Sequence, residues 1–137
     1  MMTHLCNLKK TINIDYLMFW LLTAFSVVAL WHAPFFPSED GIVHSHMASL
    51  LKALLIDHDP YYSRFYEINA APIPNIVTQY ILMLLQMAVS AATAERLFTT
   101  GLIILHMIAL RRFFTIYARE VTITYYAPFL FMFTYPV

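Results

Sequence analysis

The chain has 137 residues, 61% hydrophobic and only 12% charged, with a formal net charge of +0. An ordinary soluble domain carries about 25% charged residues. With two glycines and apolar residues in long blocks rather than in alternation, a transmembrane β-barrel is excluded as well. No basic run with interleaved aromatics points to nucleic acid, and Cys6 as the sole cysteine excludes an internal disulfide or a thiolate metal cluster. The remaining class is all-α: a polytopic membrane protein of three to four apolar helices, with an amphipathic juxtamembrane helix in its first external loop and membrane lipids as its surroundings.

Residues 1–15 form a basic start containing Lys9 and Lys10, which places the amino terminus on the cytoplasmic side of the inner membrane. From Tyr16 to Ser38 no residue carries a formal charge, and the roughly 20 residues needed to cross hydrocarbon fit within 16–36. Trp31, His32 and Pro34 stand where a small-x-small cleavage site would be, so the segment reads as a retained anchor.

Residues 37–74 are polar and bounded by prolines. Val43, Met47, Leu50, Leu51, Leu54 and Leu55 recur at helical spacing, which predicts an amphipathic helix of about four turns lying on the membrane surface with its leucines downward. Ser38 is its expected cap, with Glu39 and Asp40 in the first turn where the helix dipole favours acids. Asp57-His58-Asp59-Pro60 reads as the turn that ends it, and Tyr61, Tyr62 and Tyr66 as an interfacial belt. His32 and His106 lie in apolar blocks, where helix-end histidines mostly reach interface water or backbone.

Pro72 and Pro74 confine the next helix to 75–92, capped by Asn75. The block Leu97 to Leu110 covers only about 21 Å at 1.5 Å per residue, against roughly 30 Å of hydrocarbon. It must therefore borrow neighbours, giving a span over 93–114 with Arg96 snorkelling. A last apolar block occupies 121–137. Four ordinary spans would place Arg111, Arg112 and Arg119 opposite Lys9 and Lys10, against the positive-inside bias. A re-entrant or surface-lying helix at 75–92 returns them to the cytoplasm and is the preferred arrangement. Four spans with a weak charge signal is the alternative.

The segment with chemical content is Pro37-Ser38-Glu39-Asp40-Gly41 with His44 and His46. A carboxylate just outside a span can accept a proton from a hydroxyl or hold a divalent cation through oxygen. His44 stands one helical turn beyond Asp40, on the same side, and Gly41 leaves room beside the carboxylates. Equally, Glu39 and Asp40 can do no more than complement a helix start.

The order of elements is a basic start, a span, a loop opening on an acidic pair, an amphipathic helix, a proline-led apolar helix from Pro72 and Pro74, and the segments Ala94-Glu95-Arg96-Leu97 and Leu110-Arg111-Arg112-Phe113. It resembles the amino-terminal portion of the GT-C superfamily of membrane glycosyltransferases, which use polyprenyl-phosphate sugars. The resemblance covers most of this chain but only about the first quarter of such an enzyme. It implies catalytic roles for Asp40 and Glu39 at the acceptor or a metal, with His44 orienting the acceptor. A divalent metal ion in the complete enzyme is implied too. Lys52 and Arg64 are the candidate contacts to a lipid phosphate, and equally read as ordinary bases at a headgroup layer. The family's second external loop and donor pocket have no counterpart before Val137, so the chain is expected to be a truncated segment, inactive alone. The competing reading is a small non-catalytic membrane protein that associates with partner helices through Ala88 to Thr100.

Overall fold

The computed structural model describes residues 2–32, 39–69 and 74–117, with side chains described from residue 14 onward and, in the second stretch, from residue 40. They form four α-helices and one 3-10 turn: α1 (Met2–His32), α2 (Glu39–Leu55), η1 (Tyr62–Arg64), α3 (Ile76–Leu85) and α4 (Ala91–Tyr117). No strand occurs among the described residues. The expected block at 121–137 lies outside them.

Two helices are long and apolar enough to cross a membrane, over Ile14–His32 and Ala91–Tyr117. α1 begins at Met2, well before the apolar block, because nothing between Thr3 and Asp15 breaks a helix. α4 borrows Ala91 to Glu95 at its start and continues through Arg111 and Arg112. It is 27 residues long, so at 1.5 Å per residue it covers about 40 Å, enough for hydrocarbon with a turn to spare at each side. α3 has 10 residues. That is about 15 Å, half the hydrocarbon thickness.

The chain folds as two compact units, residues 1–32 with 102–137 and residues 33–101. In the first unit, α1 and the later half of α4 meet through Phe19 and Met107, with Trp20, Leu22 and Leu110 packed around them. One turn earlier on α1, Asp15 reaches Arg111, one turn later on α4. A step of four forward on one helix goes with a step of four back on the other, so the two run antiparallel. Inside α1 the buried hydroxyls are satisfied within the helix: Thr23 Oγ1 donates to the Phe19 carbonyl at 2.9 Å and Ser26 Oγ to that of Leu22 at 2.9 Å. A helix in lipid needs this, since no water competes there for polar groups.

In the second unit, α2 packs on α3 through Ala48, Leu82 and Met83, flanked by Leu51, Leu55 and Phe98. The face that α2 turns to α3 joins part of the predicted stripe, Leu51 and Leu55, to the small residues Ser45 and Ala48. Ser45 and Ala48 are buried, whereas Val43 and Met47 are exposed. The reason lies at the end of α3. Gln86 is buried, and its Nε2 donates to the Ser45 carbonyl at 3.0 Å and to Ser45 Oγ at 3.3 Å, while its Oε1 accepts from Ser49 Oγ at 2.9 Å. Satisfying a buried amide outweighs an apolar contact or two, and serine and alanine let the backbones approach. Leu50 and Ala53, on the far side of α2, are buried too, where the helix contacts η1.

Helix boundaries follow local chemistry. Asn75 occupies the N-cap of α3 in a left-handed conformation (φ 64°), but its side chain makes no capping bond. The cap position is as predicted; the mechanism is backbone conformation, which asparagine tolerates better than most residues. Ser90 caps α4 through its side chain, accepting from the Thr93 amide at 3.3 Å. α2 ends in the predicted turn, with His58 at φ 47° and the Tyr61 amide donating to Asp59 Oδ1 at 2.8 Å.

Candidate functional site

Glu39 and Asp40 open α2. Asp40 is exposed in the first turn, while the Glu39 side chain lies outside the described residues, as does Ser38. His44, one turn along, is half-buried, and its Nδ1 is buried with no hydrogen-bond partner among the described residues. Asp40 and His44 therefore share a helix side without being bonded through that nitrogen, and Asp40 is exposed to solvent or a hydroxylated ligand.

Lys52 and Arg64 lie elsewhere. Lys52 is twelve residues along the helix from Asp40, about 18 Å at 1.5 Å per residue, and its ammonium is 3.6 Å from Asp57 Oδ2. Arg64 is exposed on η1, which contacts α2. Lys52 thus belongs to the end of α2 opposite Asp40, and a phosphate held by its ammonium lies outside the roughly 3–3.5 Å within which groups react with Asp40. Around Arg64, Tyr61 packs edge-on against Tyr62 and Phe65, at 5.5 and 5.4 Å between ring centroids. Tyr61, Phe65 and Tyr66 are exposed, a surface suited to a headgroup layer.

Among the described residues no three His, Cys, Asp or Glu side chains gather in a way that could hold a metal ion. A divalent cation of the calcium or magnesium type takes six or more oxygen ligands, part of them water, and Asp40 with His44 offers one carboxylate and one imidazole. No step below is routed through a metal.

Three residues carry structural weight that the sequence left unmarked. Asp15, assigned to the cytoplasmic start, is buried and paired with Arg111. Glu95 has a buried Oε1 with no hydrogen-bond partner among the described residues. Gln86 organises the α2–α3 contact. Only Asp15 left a trace in the sequence, as a lone acid at the edge of an apolar block whose counterpart, Arg111, edges another. His32 and His106 are both exposed, in keeping with residues that reach outward rather than line a site. Comparison with protein-family models, with curated proteins and with solved structures finds no match for this chain.

Proposed function

We propose that the chain is an integral membrane protein whose α1 and α4 cross as an antiparallel pair, and that it serves as the acceptor-side amino-terminal part of a glycosyltransferase using a lipid-phosphate-linked sugar. What supports the membrane part is the pairing of Asp15 with Arg111. It gathers Lys9, Lys10, Arg111 and Arg112 at one end of the helix pair, the distribution that the positive-inside bias assigns to the cytoplasm. Two antiparallel crossings put the intervening segment on the opposite, external side. α3, about half a bilayer long, then lies within that external segment without crossing.

The observation that carries the chemical reading is Asp40, an exposed carboxylate in the first turn of α2 with the half-buried His44 one turn beyond. On this reading Asp40 takes the proton of an acceptor hydroxyl as it attacks the sugar, Glu39 assists, and His44 orients the acceptor. Lys52 is left to the headgroup layer, since it stands about 18 Å along α2 from Asp40, and the exposed Arg64 is the candidate contact to a lipid phosphate.

The test is sugar transfer by the complete enzyme to which this segment belongs, with Asp40→Asn compared against wild type per folded protein. A general base contributes about 10²–10⁴ in rate, so a loss of that order is expected. Turnover close to wild type would return Asp40 to helix-dipole duty. A second reading, non-catalytic association with partner helices, is favoured by α4, whose apolar window is almost entirely uncovered by the described residues. An open reading frame continuing past codon 137 into further apolar blocks supports the enzyme, and a stop there supports the partner protein.

A further inference from the structure

Within the unit formed by residues 1–32 and 102–137, the seam between α1 and α4 carries charge at one place among the described residues, the buried Thr23 and Ser26 hydroxyls being satisfied inside α1. Asp15 and Arg111 face each other there, with N–O 3.7 Å and side chains only 10% and 19% exposed. The guanidinium carbon lies 4.7 Å from the centroid of the Tyr16 ring and 4.9 Å from that of Phe19, so the cation sits on two aromatic faces of α1 as well as beside its carboxylate. We propose that this pair is a charge latch that selects the partner, direction and register of the two apolar helices.

The apolar part of the seam cannot make that selection. Phe19, Trp20, Leu22, Met107 and Leu110 are large and adaptable, and methionine in particular refills irregular gaps. Sliding α4 by one turn would exchange one such contact for another of similar quality. The same slide would take the Arg111 guanidinium off the Asp15 carboxylate and off the Tyr16 and Phe19 rings, and a desolvated cation deprived of its carboxylate is far costlier than a changed apolar contact. Strength is not what the pair is built for. Arg111 Nη1 is buried with no acceptor among the described residues, and a pair optimised for binding energy would use both guanidinium nitrogens in a bidentate fork. A pair that is unremarkable when made and severe when broken discriminates between arrangements, the role best attested for isolated polar groups in helix seams. The inference goes beyond the proposed enzymatic role and does not depend on it.

The test is disulfide cross-linking of the whole chain in membranes and in detergent, in a Cys6→Ser background. The observed register carries Thr23 of α1 to Ile103 of α4, one turn beyond the Phe19–Met107 contact, so Thr23→Cys with Ile103→Cys reports the native pairing. Thr23→Cys with Met107→Cys reports a one-turn slip. With the native charges the first pair should cross-link at least about fivefold faster than the second. Asp15→Arg, which opposes two cations, should abolish that preference, and Asp15→Arg with Arg111→Asp should restore it to within roughly twofold. Unchanged preference in Asp15→Arg overturns the proposal. So does failure of the charge exchange to recover the preference, even where the single variant does not fold. Resistance to alkaline extraction reports membrane residence separately, so loss of the latch and loss of the membrane reading give different results.

Discussion

At the scale of single residues, the fold is governed by polar groups in apolar surroundings. Gln86 is the clearest case, because its amide satisfies Ser45 and Ser49 across the α2–α3 contact. Gln86→Ala should lower the unfolding free energy of the detergent-solubilised chain by about 1–3 kcal/mol, since the bonds to Ser49 Oγ, the Ser45 carbonyl and Ser45 Oγ go together, even though Ser49 Oγ keeps its own bond to the Ser45 carbonyl at 3.0 Å. Ser49→Ala should cost less, near 1 kcal/mol, because it leaves the Ser45 bonds to Gln86 in place. Denaturant titration followed by circular dichroism separates the two, and equal small losses would show that the network is peripheral. Asp40 behaves oppositely. It is exposed in the first turn, so its removal should change stability by no more than about 0.3–1 kcal/mol through the helix dipole. A large effect on turnover with a small effect on stability is thus the signature expected of it.

At the scale of elements, length decides what each helix can do. α1 and α4 exceed the hydrocarbon thickness and α3 does not, which gives a labelling prediction. A cysteine at Thr115, near the end of α4, should be protected from an impermeant thiol reagent added outside intact cells. A cysteine at Ser63, on η1, should react. Labelling at Thr115 would mean that α3 also crosses and that four ordinary spans are correct. α2 shows how far the leucine stripe carries: Leu50 is buried and Leu51 and Leu55 pack in the α3 contact while Val43 and Met47 are exposed, because helical periodicity reports which residues are apolar and not which neighbour claims the helix. α3, through Gln86, claimed the Ser45–Ala48 face.

At the scale of the whole molecule, the expected behaviour is that of an integral protein. Two long apolar helices and a seam holding a charged pair should keep the chain in the membrane fraction after alkaline carbonate washing, while urea-stripped peripheral proteins are released. Recovery of most of the chain in the supernatant would count against membrane insertion, and with it against every topological statement above. The cytoplasmic assignment of the Lys9 and Arg111 end is tested by the same labelling experiment, because the pairing of Asp15 with Arg111 ties both basic segments to one side.

The sequence by itself determined the all-helical class, two apolar blocks that form helices long enough to cross lipid, and turns marked by Asp59-Pro60 and Pro74-Asn75. It also located the start of α2, and with it Asp40 and His44, because helix ends are written in local residues whose effect reaches only a turn. Tertiary structure alone decided the pairings. That Asp15 meets Arg111 and that Gln86 draws Ser45 inward both depend on which residues come close in space after the chain folds back, whereas Lys52 is set a helix length from Asp40 by α2 itself. Local periodicity is set within a few residues, whereas a buried charge or amide is satisfied by whatever partner the fold delivers, and that partner lies dozens of positions away.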